Sequence, residues 1–464
     1  MTQELPTIAK AAELIREGEI RPIDLVELCL TNIERYEPQV QAWVSVDKSG
    51  AIKEAERLGR LLASGEEPTS PLFGIPLAIK DIIDVSGWPT KCGSPLRGSQ
   101  PALKDAPVVA ALREAGAILL GKTVTTEFAS FDPPITKNPW NLAHTPGGSS
   151  SGSAAAVASE MCLGAIGTQT GGSIIRPASF CGVAGFKPPF GEVTLEQIEP
   201  LAFHLDHVGP IARRVNDLYL IWQQLAARAS GGVEASVTRP WAEHDLEYWL
   251  ECYSVYRTLF VMEGPLLSEA DAHVQKVTAT ALDRLKTSFE VRKLQLPMSF
   301  EKVVAWHRTI MAVEAAEHHR HQFAEQPEKF GPRIAALLRE GLATTAVDYA
   351  EALRMQETVR NELATLLHMQ GDLLGCLVMP STTTAAPDTS STGAPAFNSP
   401  WSYLGLPTIT IPCGLAENGL PCGLQFIAFT SPQVFAMAGM CERILHQYTR
   451  PPLLENGQCL RRIV

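Results

Sequence analysis

Residues 145–158 read TPGGSSSGSAAAVA and residues 167–174 read GTQTGGSI, and the fold and chemistry of the chain turn on these two stretches. In the second, a serine follows two glycines. Glycine lets successive backbone N–H groups converge, so the amides of Thr170, Gly171, Gly172 and Ser173 form a candidate oxyanion hole beside the Ser173 hydroxyl. The first supplies a cluster of hydroxyls on a backbone free to adopt unusual angles, followed by alanines at 154–158 that suit a close-packed helix. The apolar run at 163–168 then reads as a strand leading into Ser173.

Working outward, residues 71–85 read PLFGIPLAIKDIIDV, an apolar and β-branched run that predicts a buried strand. Lys80 lies inside it. An ammonium there must be paired, reach solvent at the strand end, or serve chemistry, because an unpaired buried charge is costly. Desolvation favours the neutral amine, which can accept a proton from serine, and serine–lysine variants of the catalytic triad exist. Helical spacing marks 8–17, 22–36 and 106–115, with a short strand at 117–120. Beyond Arg228 glycine becomes scarce and charge rises, which predicts a mostly helical region over 228–370 with helices near 271–287, 301–323 and 347–369. Strand candidates return at 376–379, 408–412 and 424–427 and are expected to rejoin the first sheet.

The formal net charge of −11 over 464 residues disfavours nonspecific binding to nucleic acid or to an anionic membrane. The first residues lack a basic stretch followed by an apolar core, and no apolar run reaches bilayer-spanning length. The expected location is therefore cytoplasmic. The 10 cysteines, from Cys29 to Cys459, contain no CxxC pair, so most are expected to be buried thiols.

With these residues in place, the chain resembles the amidase signature family along nearly its whole length. The similarity lies in 145–158 and 167–174, in FCGVAGFKP at 180–188, GIPLAIKD at 74–81, DHVGPIAR at 206–213 and GLPTITIP at 405–412. The resemblance implies an α/β fold, with a mixed, mostly parallel central sheet covered by helices. It implies one domain over 1–464, with 228–370 a helical variable region near the substrate site. It further implies a Ser–cisSer–Lys set in which Ser173 is nucleophile, Ser149 relay and Lys80 base. Neutral Lys80 draws a proton from Ser149, Ser149 draws one from Ser173, and the acyl-enzyme is hydrolysed by water without cofactor or metal. Two positions depart from the family pattern. Gln169 stands where aspartate is common, and Ile175, followed by Arg176, stands where arginine is common. Loss of one member alone from a buried ion pair is strongly destabilising, so the pair is expected to be replaced as a unit.

The same residues admit other readings. Ser150, Ser151 and Ser153 are expected to brace the loop. GAILLGKT at 116–123 matches a phosphate-loop pattern, but its centre is an apolar strand with a helix before it, the wrong order for nucleotide binding. His318 and His321, in EHHRH at 317–321, fit an exposed helix face better than a metal site. His207 has no Gly/Ser framework around it and is expected to be structural. The partner implied is a small or medium-sized amide, with no nucleic acid and no membrane; a homodimer is compatible with the sequence. A linear carboxamide, an aryl amide and a cyclic amide all fit. The alternatives are the amidase component of a glutamyl-tRNA amidotransferase, which works with partner subunits, and a noncatalytic binding module of the same fold.

Overall fold

Eleven strands and their helices follow from the alternation just described, and the computed structural model describes residues 4–226, 243–371 and 374–456. The strands are β1 (Trp43–Val46), β2 (Pro76–Lys80), β3 (Ile118–Thr123), β4 (Gly164–Gln169), β5 (Ala184–Lys187), β6 (His207–Ala212), β7 (Thr258–Glu263), β8 (Glu290–Gln295), β9 (Cys376–Pro380), β10 (Thr408–Leu415) and β11 (Pro421–Ile427). They form one sheet in the order β1-β3-β2-β4-β6-β5-β10-β11-β9-β7-β8. Helices cover the sheet, and every residue of β2, β3, β4, β5, β6, β9 and β11 is buried. The run 71–85 thus delivers its strand with Lys80 as the last residue, and the C-terminal strands rejoin the sheet through β10 against β5.

The sheet is mixed, as the resemblance implies, but the expectation that it is mostly parallel needs correction. Parallel pairing is confined to two blocks, β3-β2-β4 and β9-β7-β8, and the six other adjacent pairs are antiparallel. Only β10 and β11 are joined by a short hairpin, and the other antiparallel neighbours come together from distant parts of the chain, so their direction is set by the tertiary arrangement and not by local pattern. The stretch 228–370 carries the long helices Val303–Glu325 and Ala346–Met369, but it also supplies β7 and β8. Its first residues, 228–242, and Cys459 lie outside the described residues. Strand β8 is the sheet's edge and buries only Leu294, so its charged residues are those of a guarded edge strand and hide its strand character.

The topology places the site. In the parallel block, Ile79 pairs with Ile166 on β4, so the carboxyl ends of β2 and β4 emerge side by side, where α/β sheets commonly bind ligands. The short helix Ser151–Ala158 is buried along its whole length. A Cβ on Gly152 would sit 2.2 Å from the carbonyl oxygen of Ala42 and 2.4 Å from the amide of Val124, so only glycine permits this approach.

Candidate active site

Lys80 ends β2 fully buried, and its Nζ lies 2.7 Å from Ser149 Oγ, 2.7 Å from Thr168 Oγ1 and 3.5 Å from the Thr168 carbonyl. No carboxylate pairs with it among the described residues. Burial therefore holds the Lys80 ammonium well below its ordinary pKa of 10.5, with the charges of Asp206 and Cys92 opposing more weakly. Ser149 is itself fully buried, and the Gly148–Ser149 peptide is cis.

Ser173 sits in the turn between β4 and the helix Ile175–Phe180, at the wall of a cavity of about 410 Å³. Its carbonyl accepts from the Ser150 amide at 3.2 Å, which stitches the two glycine-rich stretches together. The Ser173 hydroxyl makes no direct hydrogen bond to Ser149 among the described contacts. The amides of Thr170, Gly171, Gly172 and Ser173 likewise donate to no acceptor among the described residues, and all four residues line the cavity. The structure thus brings Lys80 and Ser149 into direct contact and sets Ser173 and the four amides together at the cavity wall.

The neighbouring serines brace the loop. Ser150 Oγ donates to the Thr168 carbonyl at 3.2 Å, Ser151 Oγ to the Gly147 carbonyl at 2.6 Å, and Ser153 Oγ lies 2.8 Å from Thr123 Oγ1. Gln169 Oε1 accepts from the amides of Ile174 and Ile175 at 2.9 and 3.0 Å, and its Nε2 donates to Ser402 Oγ at 3.1 Å. A neutral amide thereby satisfies the first N–H groups of the helix that follows Ser173, and Ile175 beside it is fully buried.

The stretch 116–123 is a buried strand, and Lys122 Nζ pairs with Asp81 at 2.9 Å instead of facing a loop. His321 is exposed, while His318 lies 3.1 Å from Glu199 and His319 packs on Phe128. Glu199, His318 and His319 do converge within 4.8 Å, yet Glu199 already binds the Arg97 guanidinium. His207 is buried against the Gln169 carbonyl at 3.2 Å, where burial keeps its imidazole neutral.

The chain and its fold are matched by known proteins. Residues 24–431 match the amidase family. The chain belongs to that family. Among the relatives of this family member is a component of the glutamyl-tRNA(Gln) amidotransferase of Roseiflexus castenholzii, 31% identical, with 97% of this chain and 98% of the relative covered. Similar solved structures include an amidase at 32% identity and TM-score 0.82, covering 95% of this chain and 100% of that one. The native peptide amidase of Stenotrophomonas maltophilia is 27% identical with TM-score 0.83, covering 96% of this chain and 98% of that one.

Four contributors to the family member's site escaped the sequence. Thr168 holds Lys80 from the neighbouring strand. Asp206 accepts from Thr170 Oγ1 at 2.5 Å and from the amides of Leu201 and Ala202, while burial lifts its carboxyl to about 6. His307, on the helix Val303–Glu325, meets the Thr170 carbonyl at 3.0 Å, and burial lowers it to about 4. Arg176 lines the same cavity, on the helix that follows Ser173. Asp206 lies inside the stretch DHVGPIAR and could have been singled out there; His307 gives no signal of its own in the sequence.

Proposed function

We propose that this protein hydrolyses a carbon–nitrogen amide bond of a small or medium-sized molecule through a seryl acyl-enzyme. One observation carries the reading: a fully buried lysine amine, without a carboxylate partner among the described residues, 2.7 Å from the hydroxyl of Ser149. Such an amine is a base at neutral pH. Lys80 takes the Ser149 proton, Ser149 takes that of Ser173, and Ser173 Oγ attacks the scissile carbonyl. The amides of Thr170 to Ser173 stabilise the developing oxyanion, and N–H groups without an acceptor among the described residues are what that task needs. The proton returns through Ser149 to the leaving nitrogen, and water then releases the acid. Thr168 and Asp206 act as positioning residues, the first for Lys80 and the second for Thr170. The helices of 303–343, which contribute Val304, His307, Arg308, Met311, Arg333 and Ala336 to the cavity wall, are placed to select the acyl group. The cytoplasm is the proposed compartment, in keeping with eight buried thiols among the nine described cysteines.

The test is peptide mass spectrometry after incubation with a fluorophosphonate, comparing wild type with Ser173→Ala. A single adduct on Ser173, missing from the variant, is expected; an adduct elsewhere, or none with several probe sizes, overturns the assignment. A second reading, an amidotransferase component that hydrolyses glutamine within a complex, is favoured by the relative from Roseiflexus. It predicts glutaminase activity that appears only with added partner subunits, whereas the first reading predicts amide turnover by the purified chain.

A further inference from the structure

A second group of side chains lies outside the proposed hydrolase machinery and is assembled from two distant parts of the chain. His318 and His319 follow one another on the helix Val303–Glu325, and Glu199 comes from the stretch between β5 and β6. One ligand atom from each residue lies within 4.8 Å of the other two. His318 Nε2 is already 3.1 Å from Glu199 Oε1. Two donors on one tetrahedral ion, with bonds of about 2.0–2.1 Å, stand about 3.3 Å apart, so this contact is near the spacing that a shared ion needs.

His319 is the decisive group. It is 3% exposed and packs against Phe128 and Phe330, with ring centroids 4.4 and 5.7 Å away, and its Nε2 finds no hydrogen-bond partner among the described residues. A buried ring nitrogen without a partner is a cost to the fold, and a bound cation relieves it. Glu199 is held from both sides. Its amide donates to the Ile82 carbonyl at 2.9 Å, and Arg97 Nη2 donates to its Oε2. The arginine takes one carboxylate oxygen and leaves Oε1 to His318, the arrangement in which an outer partner orients a metal-ligating carboxylate. The Arg97 side chain is 40% exposed, so solvent screens much of its charge.

We propose that Glu199, His318 and His319 bind a divalent transition-metal ion of the zinc class, with Arg97 as the outer partner of the carboxylate. Two imidazoles and one carboxylate oxygen suit zinc, nickel or cobalt, whereas magnesium and calcium prefer shells made wholly of oxygen. Three protein ligands leave a fourth position for water. The site is independent of the amidase reading, yet it borders the same cavity. Leu201 stands two residues after Glu199, Met311 stands seven before His318 and so on the same helix face, and Phe131 stands three after the ring that packs on His319; all three line the cavity. An ion here ties three segments of the cavity wall together and acts on their order, not on proton transfer.

The experiment is calorimetric titration of the full chain, dialysed against a chelator, with zinc sulfate and separately with magnesium sulfate. One equivalent of zinc binds and magnesium does not, and zinc at about 100 times its Kd raises the melting temperature by about 3 °C for a chain of this size. His318→Gln and Glu199→Gln each weaken zinc by about 100-fold and Arg97→Gln by about 10-fold, while His321→Gln, at an exposed position one turn on, leaves the affinity unchanged. Hydrogen exchange locates the ion without a variant, since zinc slows exchange of the amides in 128–131, 199–202 and 311–319 of the wild type. Zinc that binds His318→Gln and Glu199→Gln as tightly as the wild type overturns the site, as does protection confined to the surroundings of the exposed Cys252. The lack of a saturable zinc isotherm, or equal affinity for magnesium, overturns it too. Ser173 labelling is read separately, so either result here leaves the hydrolase reading to its own test.

Discussion

Replacing Lys80 by Met keeps an unbranched chain of similar length in the β2 strand and removes the buried amine, and two separable effects on stability follow. The first is independent of pH. Ser149 Oγ and Thr168 Oγ1, each 2.7 Å from Nζ, lose a partner, and a buried polar group left unmade costs about 1–3 kcal/mol. The second depends on pH. In the folded chain burial holds Lys80 well below 10.5, and unfolding returns it to its ordinary value. Between those two values the unfolded chain binds one proton more than the folded chain, so the stability of the wild type rises with pH by about 1.4 kcal/mol per unit from this group alone. The rise ends at the ordinary pKa. The variant lacks this slope, and titrations elsewhere cancel in the difference. Urea denaturation of both proteins at pH values from about 7 to about 10 measures it, and kcat/KM of the wild type must fall as pH drops through the value at which the slope begins. A stability difference that stays flat over that range shows that folded Lys80 holds its proton as the unfolded chain does, and the neutral-base mechanism fails with it.

Gln169→Leu strips the acceptor from the amides of Ile174 and Ile175 and should cost about 2–6 kcal/mol, seen as a lowered urea midpoint; an unchanged midpoint means the turn is held by other contacts. Gly172→Ala puts a Cβ 2.4 Å from Asn398 Oδ1, so the amides proposed to hold the oxyanion must shift, and kcat should fall by about 100-fold, with Ser173 labelling slowed in parallel. Lys122→Met leaves Asp81 buried without its partner and should destabilise by about 3–5 kcal/mol, read from the same urea titration. Saturating ATP with Mg²⁺ should leave the wild-type melting temperature unchanged, and a rise would restore nucleotide binding at 116–123.

Local chemistry was legible where residue type and backbone demand coincide. Paired glycines before Ser149 and Ser173 announce a turn that needs small residues, and a lysine at the end of an apolar strand announces a buried amine. The strands β2, β4, β9, β10 and β11 and the long helices declare themselves through hydrophobic spacing, because each buries a run or a face. Strands β7 and β8 did not, since β8, at the sheet's edge, is charged and half exposed, and its pairing with β7 is decided by a partner strand 32 residues away at each rung rather than by its own composition. The balance of parallel and antiparallel pairs was hidden for the same reason: strand direction is a property of connections.

The sequence by itself determined the family-like order of motifs, the three residues proposed for chemistry and the neutral replacement at Gln169, all of which are carried by side-chain identity and short spacing. Only the tertiary structure decided what surrounds them. Thr168 reaches Lys80 across 88 residues, His307 reaches the Thr170 carbonyl across 137, and Arg176 finds the Thr392 carbonyl 216 residues on. Whether a buried charge is neutralised depends on every element packed around it, and those elements come from distant parts of the chain. The buried setting of the Arg176 guanidinium, on the helix that follows Ser173, therefore exists only in the folded molecule.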